Sequence, residues 1–197
     1  MMSGKIIFEY KKLDTPLINV KGLILNFQLE SADTIAAINT ITEKSIKNVL
    51  TIENKETFFA LGSPQKSVLN EKLINYDCFL YTSGYPNRAA VTLIKILASS
   101  DFTFYHAGDL DPDGILILQF IQDIVNYDYP EKPVTPVRMN IYTFDQYRAW
   151  ARPLTKPSLS QIKKISEKTR TIPEFDNLIK RIEETGMGIE QEIIDYR

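Results

Sequence analysis

Apolar residues fall along this chain in short runs divided by polar turns. Val49-Leu50-Thr51-Ile52, Cys78-Phe79-Leu80-Tyr81-Thr82 and Phe102-Thr103-Phe104-Tyr105 are too short for helices. They are rich in β-branched and aromatic side chains, which predicts buried strands. Val137 to Tyr142 reads as a fourth. Helical patterns lie between them. Lys55 to Leu61 is one, stopped by Gly62-Ser63-Pro64. Arg88 to Ala98 follows the turn Ser83-Gly84-Tyr85-Pro86-Asn87, and Ile115 to Val125 follows the loop Gly108 to Gly114. Strand, loop and helix in alternation predict an α/β domain with an open, mainly parallel sheet flanked by helices.

The flanks are less regular. Ile6-Ile7-Phe8 and Leu23-Ile24-Leu25 fit helix or strand equally, with Asp14-Thr15-Pro16 between them. Ser31-Ala32-Asp33 has helix-cap chemistry, so a helix is expected through Ala36 and Ile41. Pro130 to Pro157 is proline-rich and irregular. From Ser158 onward Ile162, Ile165, Leu178, Ile179 and Ile182 keep a helical spacing. Three segments are expected: residues 1–45 as an N-terminal extension or the remnant of an upstream region, 46–145 as the α/β core, and 146–197 as a mainly helical C-terminal extension.

In an open parallel sheet the ligand site lies beyond the carboxyl ends of the strands. That rule selects Glu53-Asn54, Ser83 to Arg88, and Gly108 to Gly114. The last carries the strongest chemistry: Asp109-Leu110-Asp111-Pro112-Asp113-Gly114, with alternating carboxylates directly after a strand. Close carboxylates repel one another unless a cation sits among them, and oxygen ligands suit Mg²⁺ or Mn²⁺. The simpler reading is an acidic turn in which Asp109 or Asp113 caps the next helix. An EF-hand is excluded, because its twelfth position would be Phe120 instead of Glu. Glu53 ends the first central strand, so it should share the edge with this cluster. It is a candidate metal ligand and a candidate general acid or base; a helix N-terminal Glu is the simpler alternative.

Other residues carry less. Arg88, at a helix start, is a candidate phosphate contact, and a surface ion pair is as good a reading. His106 and Cys78 read as packed strand residues. Trp150 with Tyr147, Arg148 and Arg152 reads as packing of the tail more readily than as a stacking patch. Glu190 and Glu192 read as exposed charges with a lesser claim on the site. Lys156, Lys163, Lys164, Lys168, Arg170, Lys180 and Arg181 make the tail locally basic, which is more simply a solvated face than a phosphate-contacting one.

Composition narrows the picture. The 197 residues carry 23 Lys and Arg against 25 Asp and Glu, a formal charge of −2. A basic nucleic-acid-binding surface spread over the whole chain is excluded, so any contact with DNA needs a local patch, a cation or a partner. One Cys and one His exclude a disulfide framework and the usual zinc sites. No apolar stretch is long enough to span a membrane, and the N-terminus lacks a secretory core. A reducing, cytoplasmic location is expected.

The ordered set Val49-Leu50-Thr51-Ile52-Glu53-Asn54, Ser83-Gly84-Tyr85-Pro86 and Gly108-Asp109-Leu110-Asp111-Pro112-Asp113-Gly114 resembles the Toprim domain. More narrowly, with the closing Glu190-Gln191-Glu192, it is similar to the Toprim-containing C-terminal half of the Wadjet JetD family. The likeness covers residues 46–145 well and the tail loosely. It implies a Toprim-like fold and Mg²⁺-dependent (or Mn²⁺-dependent) DNA strand cleavage, by relatives of the type IIB topoisomerase A subunit. Glu53 would be the acid/base and metal-linked carboxylate, Asp109 and Asp111 would hold the metal, and Asp113 would assist. JetD-like proteins act with an SMC-like complex against plasmids, so DNA, such a complex and a second copy of the chain are the implied partners. The family's upstream DNA-binding, dimer-forming region is expected to be missing or reduced to residues 1–45, which makes the chain a candidate fragment. No tyrosine is assignable as a nucleophile, so hydrolysis is the expected chemistry.

Two other readings compete. Asp111-Pro112-Asp113-Gly114 imitates the start of a haloacid-dehalogenase-like phosphatase, although that motif usually opens the fold's first strand. The other is a non-catalytic, metal-stabilised docking domain.

Overall fold

The computed structural model describes residues 1–4, 6–11, 18–19, 24–25, 32–40, 46–62, 76–155, 160–161, 165 and 173–194. Its strands are β1 (Met2–Gly4), β2 (Ile6–Tyr10), β3 (Ile18–Asn19), β4 (Ile24–Leu25), β5 (Ile35–Thr40), β6 (Lys47–Ile52), β7 (Cys78–Tyr81), β8 (Phe102–Ala107), β9 (Val134–Pro136), β10 (Arg152–Pro153) and β11 (Met187–Gly188). Its helices are α1 (Lys55–Gly62), α2 (Arg88–Ser99), α3 (Pro112–Asp128), α4 (Ile141–Tyr147) and α5 (Pro173–Thr185).

The main sheet has the order β4-β1-β7-β6-β8-β9. The pairs β6 with β7, β6 with β8 and β8 with β9 are parallel. Strand β6 is central and has helices to bury both its faces. This is why Val49, Leu50, Thr51 and Ile52 are buried in succession instead of alternating. Together with the flanking helices this is the Toprim-like α/β layout that the resemblance implies. Strand β1 pairs antiparallel with both β7 and β4, so residues 2–4 extend the same sheet, and Met2 is fully buried.

A smaller antiparallel sheet, β3-β2-β5, shares the apolar core of the main one through Ile6, Phe8, Ile35 and Ile38, and polar contacts to the C-cap of α2 and to β6 add to this. Ile38 N donates to Ser100 Oγ at 3.1 Å, and Lys47 Nζ to Asn39 Oδ1 at 3.0 Å. Of the two apolar runs that fit either helix or strand, Ile6-Ile7-Phe8 falls in β2 and Ile24-Leu25 forms β4, while Leu23 lies outside the described residues. The helix expected through Ala36 is instead β5, pairing antiparallel with β2. Ile35 and Ile38 are buried there, and pairing with β2 outweighs the cap-like start. Ser31 and Ile41 lie outside the described residues.

The strand expected over Val137 to Tyr142 is also displaced. The edge strand is β9, Val134–Pro136, and Ile141 begins α4. Asn140 decides this locally: its Oδ1 accepts from Thr143 N at 2.9 Å, which caps the helix. Pro136 is tolerated because β9 is an edge.

In the tail, Phe175, Leu178, Ile179 and Ile182 of α5 are buried. Arg181 pairs with Asp145 and, at 3.8 Å, with Glu184, so it is engaged with acids. Ile162, Lys156, Lys163, Lys164, Lys168 and Arg170 lie outside the described residues. Among the described residues no helix is long and apolar enough to cross a membrane.

Candidate metal centre

The carboxyl ends of β6 and β8 lie side by side, Ile52 opposite Ala107. The chain leaves β6 at Glu53, whose N–H still bonds Ala107 O at 3.1 Å. From β8 it passes Gly108 to Asp109. Parallel register therefore delivers Glu53 and Asp109 to one point, and Asp109 N donates to Glu53 Oε2 at 3.3 Å. Gly108 permits the approach: a Cβ there would stand 2.8 Å from that same Oε2.

The next turn is shaped by α3. Asp111 is the N-cap, its Oδ1 accepting from Gly114 N at 2.8 Å, and Pro112 opens the helix. The cap is thus Asp111, neither Asp109 nor Asp113. Asp113 lies in the first helical turn, where the helix dipole favours a negative charge. Gly114 is obligatory, since a Cβ would run into the backbone carbonyl of Asp109.

A third element closes the site. Leu110 and Ile189 form an antiparallel bridge, and Gln191 N donates to Asp109 Oδ1 at 2.6 Å. The Gln191 side chain accepts from Asn54 N at 2.6 Å, and Asn54 Nδ2 donates to Glu192 Oε2 at 2.6 Å. The segment from Ile189 to Glu192 therefore ties both acidic loops together. Glu190 and Glu192 reach the site by charge, both acting on Asp109 and Glu190 also on Asp111.

Electrostatics follow from crowding. Burial, then the charge of Asp109, push the Glu53 carboxyl up to about 8. Burial pushes Asp109 up to about 7, against the pull of the Gln191 N–H. Asp111 is raised by burial and held back by the Gly114 N–H. At neutral pH such groups shed their mutual repulsion by keeping protons or by taking up a cation. Among the described residues, no three His, Cys, Asp or Glu side chains stand close enough together to hold a metal ion by themselves. The donor set still suits a hard cation. It is all oxygen, and Mg²⁺ takes one or two carboxylates and fills its octahedron with waters and phosphate oxygens. Glu53 and Asp109 are the carboxylates that could contribute to such a set, with the charge of Asp111 also acting on Glu53.

Arg88 is exposed at the first residue of α2. Cys78 is buried. Trp150 is largely exposed, with its ring centroid 6.1 Å from that of Tyr147. Two residues at the site carried no signal of their own. Gln191 is fully buried, and only its place between two acids marked it. Tyr85 lies close enough to Asp113, Glu53 and Asp111 for their charges to raise its hydroxyl, after burial.

Residues 11–197 match the family described as Wadjet protein JetD, C-terminal. The chain is similar to Wadjet protein JetD of Bacillus cereus (strain Q1), with 24% identity over 152 residues, covering 75% of this chain and 34% of that protein. It thus spans about a third of the length of the curated relative it matches. Residues at both ends of the candidate site, Glu53 and Gln191, lie inside the matched region, and the chain belongs to the JetD C-terminal family.

Proposed function

We propose that this chain cleaves DNA strands hydrolytically with the help of Mg²⁺ or Mn²⁺, as the nuclease part of a cytoplasmic Wadjet-type antiplasmid system. One observation carries the reading: at the carboxyl edge of a parallel sheet the Asp109 N–H donates to the side-chain Oε2 of Glu53, a residue remote from it in sequence. A divalent ion there would neutralise charge building on a scissile phosphate and its leaving oxygen. The protein's own groups have separate tasks. Glu53 and Asp109 are the residues that would present oxygens to the ion. Asp111 fixes the start of α3 and adds negative charge, and Asp113 supports it from the first turn of that helix. In the metal-free site the Glu53 carboxyl is raised to about 8 by burial and by the charge of Asp109; a carboxyl there is the candidate general acid or base, with an ion beside it drawing it back toward the ionised form. Arg88 offers a cation for a neighbouring phosphate.

A chain of charge −2 with an acidic site binds DNA weakly by itself. An SMC-like complex, a second copy of the chain, or both would supply affinity. The phosphatase alternative is disfavoured, because Asp111, its would-be nucleophile, has an oxygen committed to capping α3.

The test is incubation of supercoiled plasmid with the protein and Mg²⁺ or Mn²⁺. Nicking by the wild type, lost in Glu53→Ala and Asp111→Ala, supports the proposal. Turnover of a small phosphomonoester without nicking would favour the phosphatase. Mg²⁺ binding with neither activity, even with partner added, would leave the docking role.

A further inference from the structure

Trp150 is the chain's single tryptophan. Packing of the tail would bury it, yet it is 59% exposed. An indole left at the surface keeps a large apolar face in water, a common mark of a contact residue. Arg148 and Arg152, on either side of it, are exposed as well. Among the described residues neither forms an ion pair, whereas Arg181 is engaged by Asp145 and Glu184, and Lys132 by Asp101. The stretch from 148 to 152 thus offers two unpaired cations around one aromatic face.

Topology sets this patch beside the acidic site. A short 3₁₀ turn, Arg148–Trp150, leads into β10, where Arg152 is the register partner of Gly188 in β11. Residues opposed in an antiparallel pair send their side chains to the same face, with Cβ atoms about 5 Å apart. Gly188 has no Cβ, and the point where one would stand is 3.0 Å from the Cβ of Asp111. Arg152 therefore rises from the face of this small sheet against which Asp111 lies. An arginine so close to a carboxylate would ordinarily pair with it. The ion pairs of the described residues include none between these two.

We propose that Arg148, Trp150 and Arg152 form the surface that carries a DNA strand into the acidic site, the guanidiniums on backbone phosphates and the indole against an unstacked base. This rests on the reading that the site cleaves DNA. Carboxylates alone repel a polyanion, and unpaired cations next to them supply attraction without standing among the oxygens offered to an ion. The planar fork of arginine grips two phosphate oxygens at once. Cations for the backbone and an aromatic face for a base are how strands are held without regard to sequence. An acidic protein surface would use the cations but would bring no base to lie on the indole.

The single tryptophan makes the test direct. Emission of Trp150 is followed in the full chain carrying Glu53→Gln, with Mg²⁺, as a single-stranded oligonucleotide is added. The expected result is saturable quenching, protection from acrylamide, and reversal by NaCl. Anisotropy of a labelled oligonucleotide gives affinities for further variants, each checked for folding by circular dichroism. Arg148→Ala and Arg152→Ala are each expected to lower the slope of log affinity against log salt by about 0.7. Trp150→Ala is expected to weaken binding about 5- to 100-fold. Emission indifferent to the oligonucleotide, or variants that bind with unchanged affinity and slope, overturns the proposal. Shielding of Trp150 by a polyglutamate peptide but not by the oligonucleotide also overturns it and gives the patch to an acidic protein partner. Binding with these effects by a chain that never nicks plasmid removes the nuclease reading and leaves the strand surface standing. Nicking by the wild type with an indifferent Trp150 does the reverse.

Discussion

Glu53 and Asp109 are costly residues to hold where they are, and that cost is measurable. Both keep protons in the folded, metal-free protein at pH values where the unfolded chain has released them. The stability this provides is complete below their ordinary values of 4.5 and 3.8 and is lost as pH rises to about 8. The melting temperature of metal-free protein should therefore fall between roughly pH 5 and pH 8, and Mg²⁺ should restore it most at the upper end. Calorimetry across that range checks the sign. Glu53→Gln should abolish nicking yet raise the metal-free melting temperature at pH 8 by a few degrees, because an uncharged amide removes the repulsion. A drop in that temperature would mean that Glu53 stabilises the fold and is no strained functional group. The acidic cluster was legible from residue types alone. Gln191 was not, because a Gln between two Glu looks ordinary until the Leu110–Ile189 bridge sets it beside Asp109; His106 reads as a packed strand residue and is one, fully buried in β8.

At the scale of elements, Asp111 joins fold to chemistry, and its two roles can be separated. Asp111→Asn keeps a side-chain oxygen for Gly114 N and should leave stability nearly unchanged while weakening the response to Mg²⁺. Asp111→Ala loses the cap as well and should cost about 1 kcal/mol of unfolding free energy in urea. Equal stability of the two variants would show that the cap contributes nothing. The central strands β6, β7 and β8 were readable because their apolar runs are continuous and short. Strands β5 and β9 were misplaced because local cues misled. Ser31 to Asp33 offers cap chemistry ahead of a segment that β2 recruits by pairing. Asn140 starts a helix inside a stretch whose composition resembles a strand.

For the whole molecule, the segment following β11 behaves as a clasp, joining the loops after β6 and β8 through Asp109, Asn54 and Leu110. Ending the chain after Gly188 should lower the melting temperature and abolish the shift produced by Mg²⁺, even though Glu53, Asp109 and Asp111 all remain. Retention of that shift would show that the two acidic loops hold their own geometry. This clasp is the part least visible in sequence: it brings residues from near position 190 to positions 53 and 109, and only the fold reveals that closure. The opposite end of the chain has a practical meaning. Strand β1 runs antiparallel to β7 with Met2 opposite Leu80, and Met1 O accepts from Tyr81 N at 2.9 Å. A fusion partner or affinity tag attached ahead of Met1 would therefore exit at the rim that bears the acidic groups, where it could shield them from a bulky polymer. Comparing tagged with tag-cleaved protein belongs at the start of any assay.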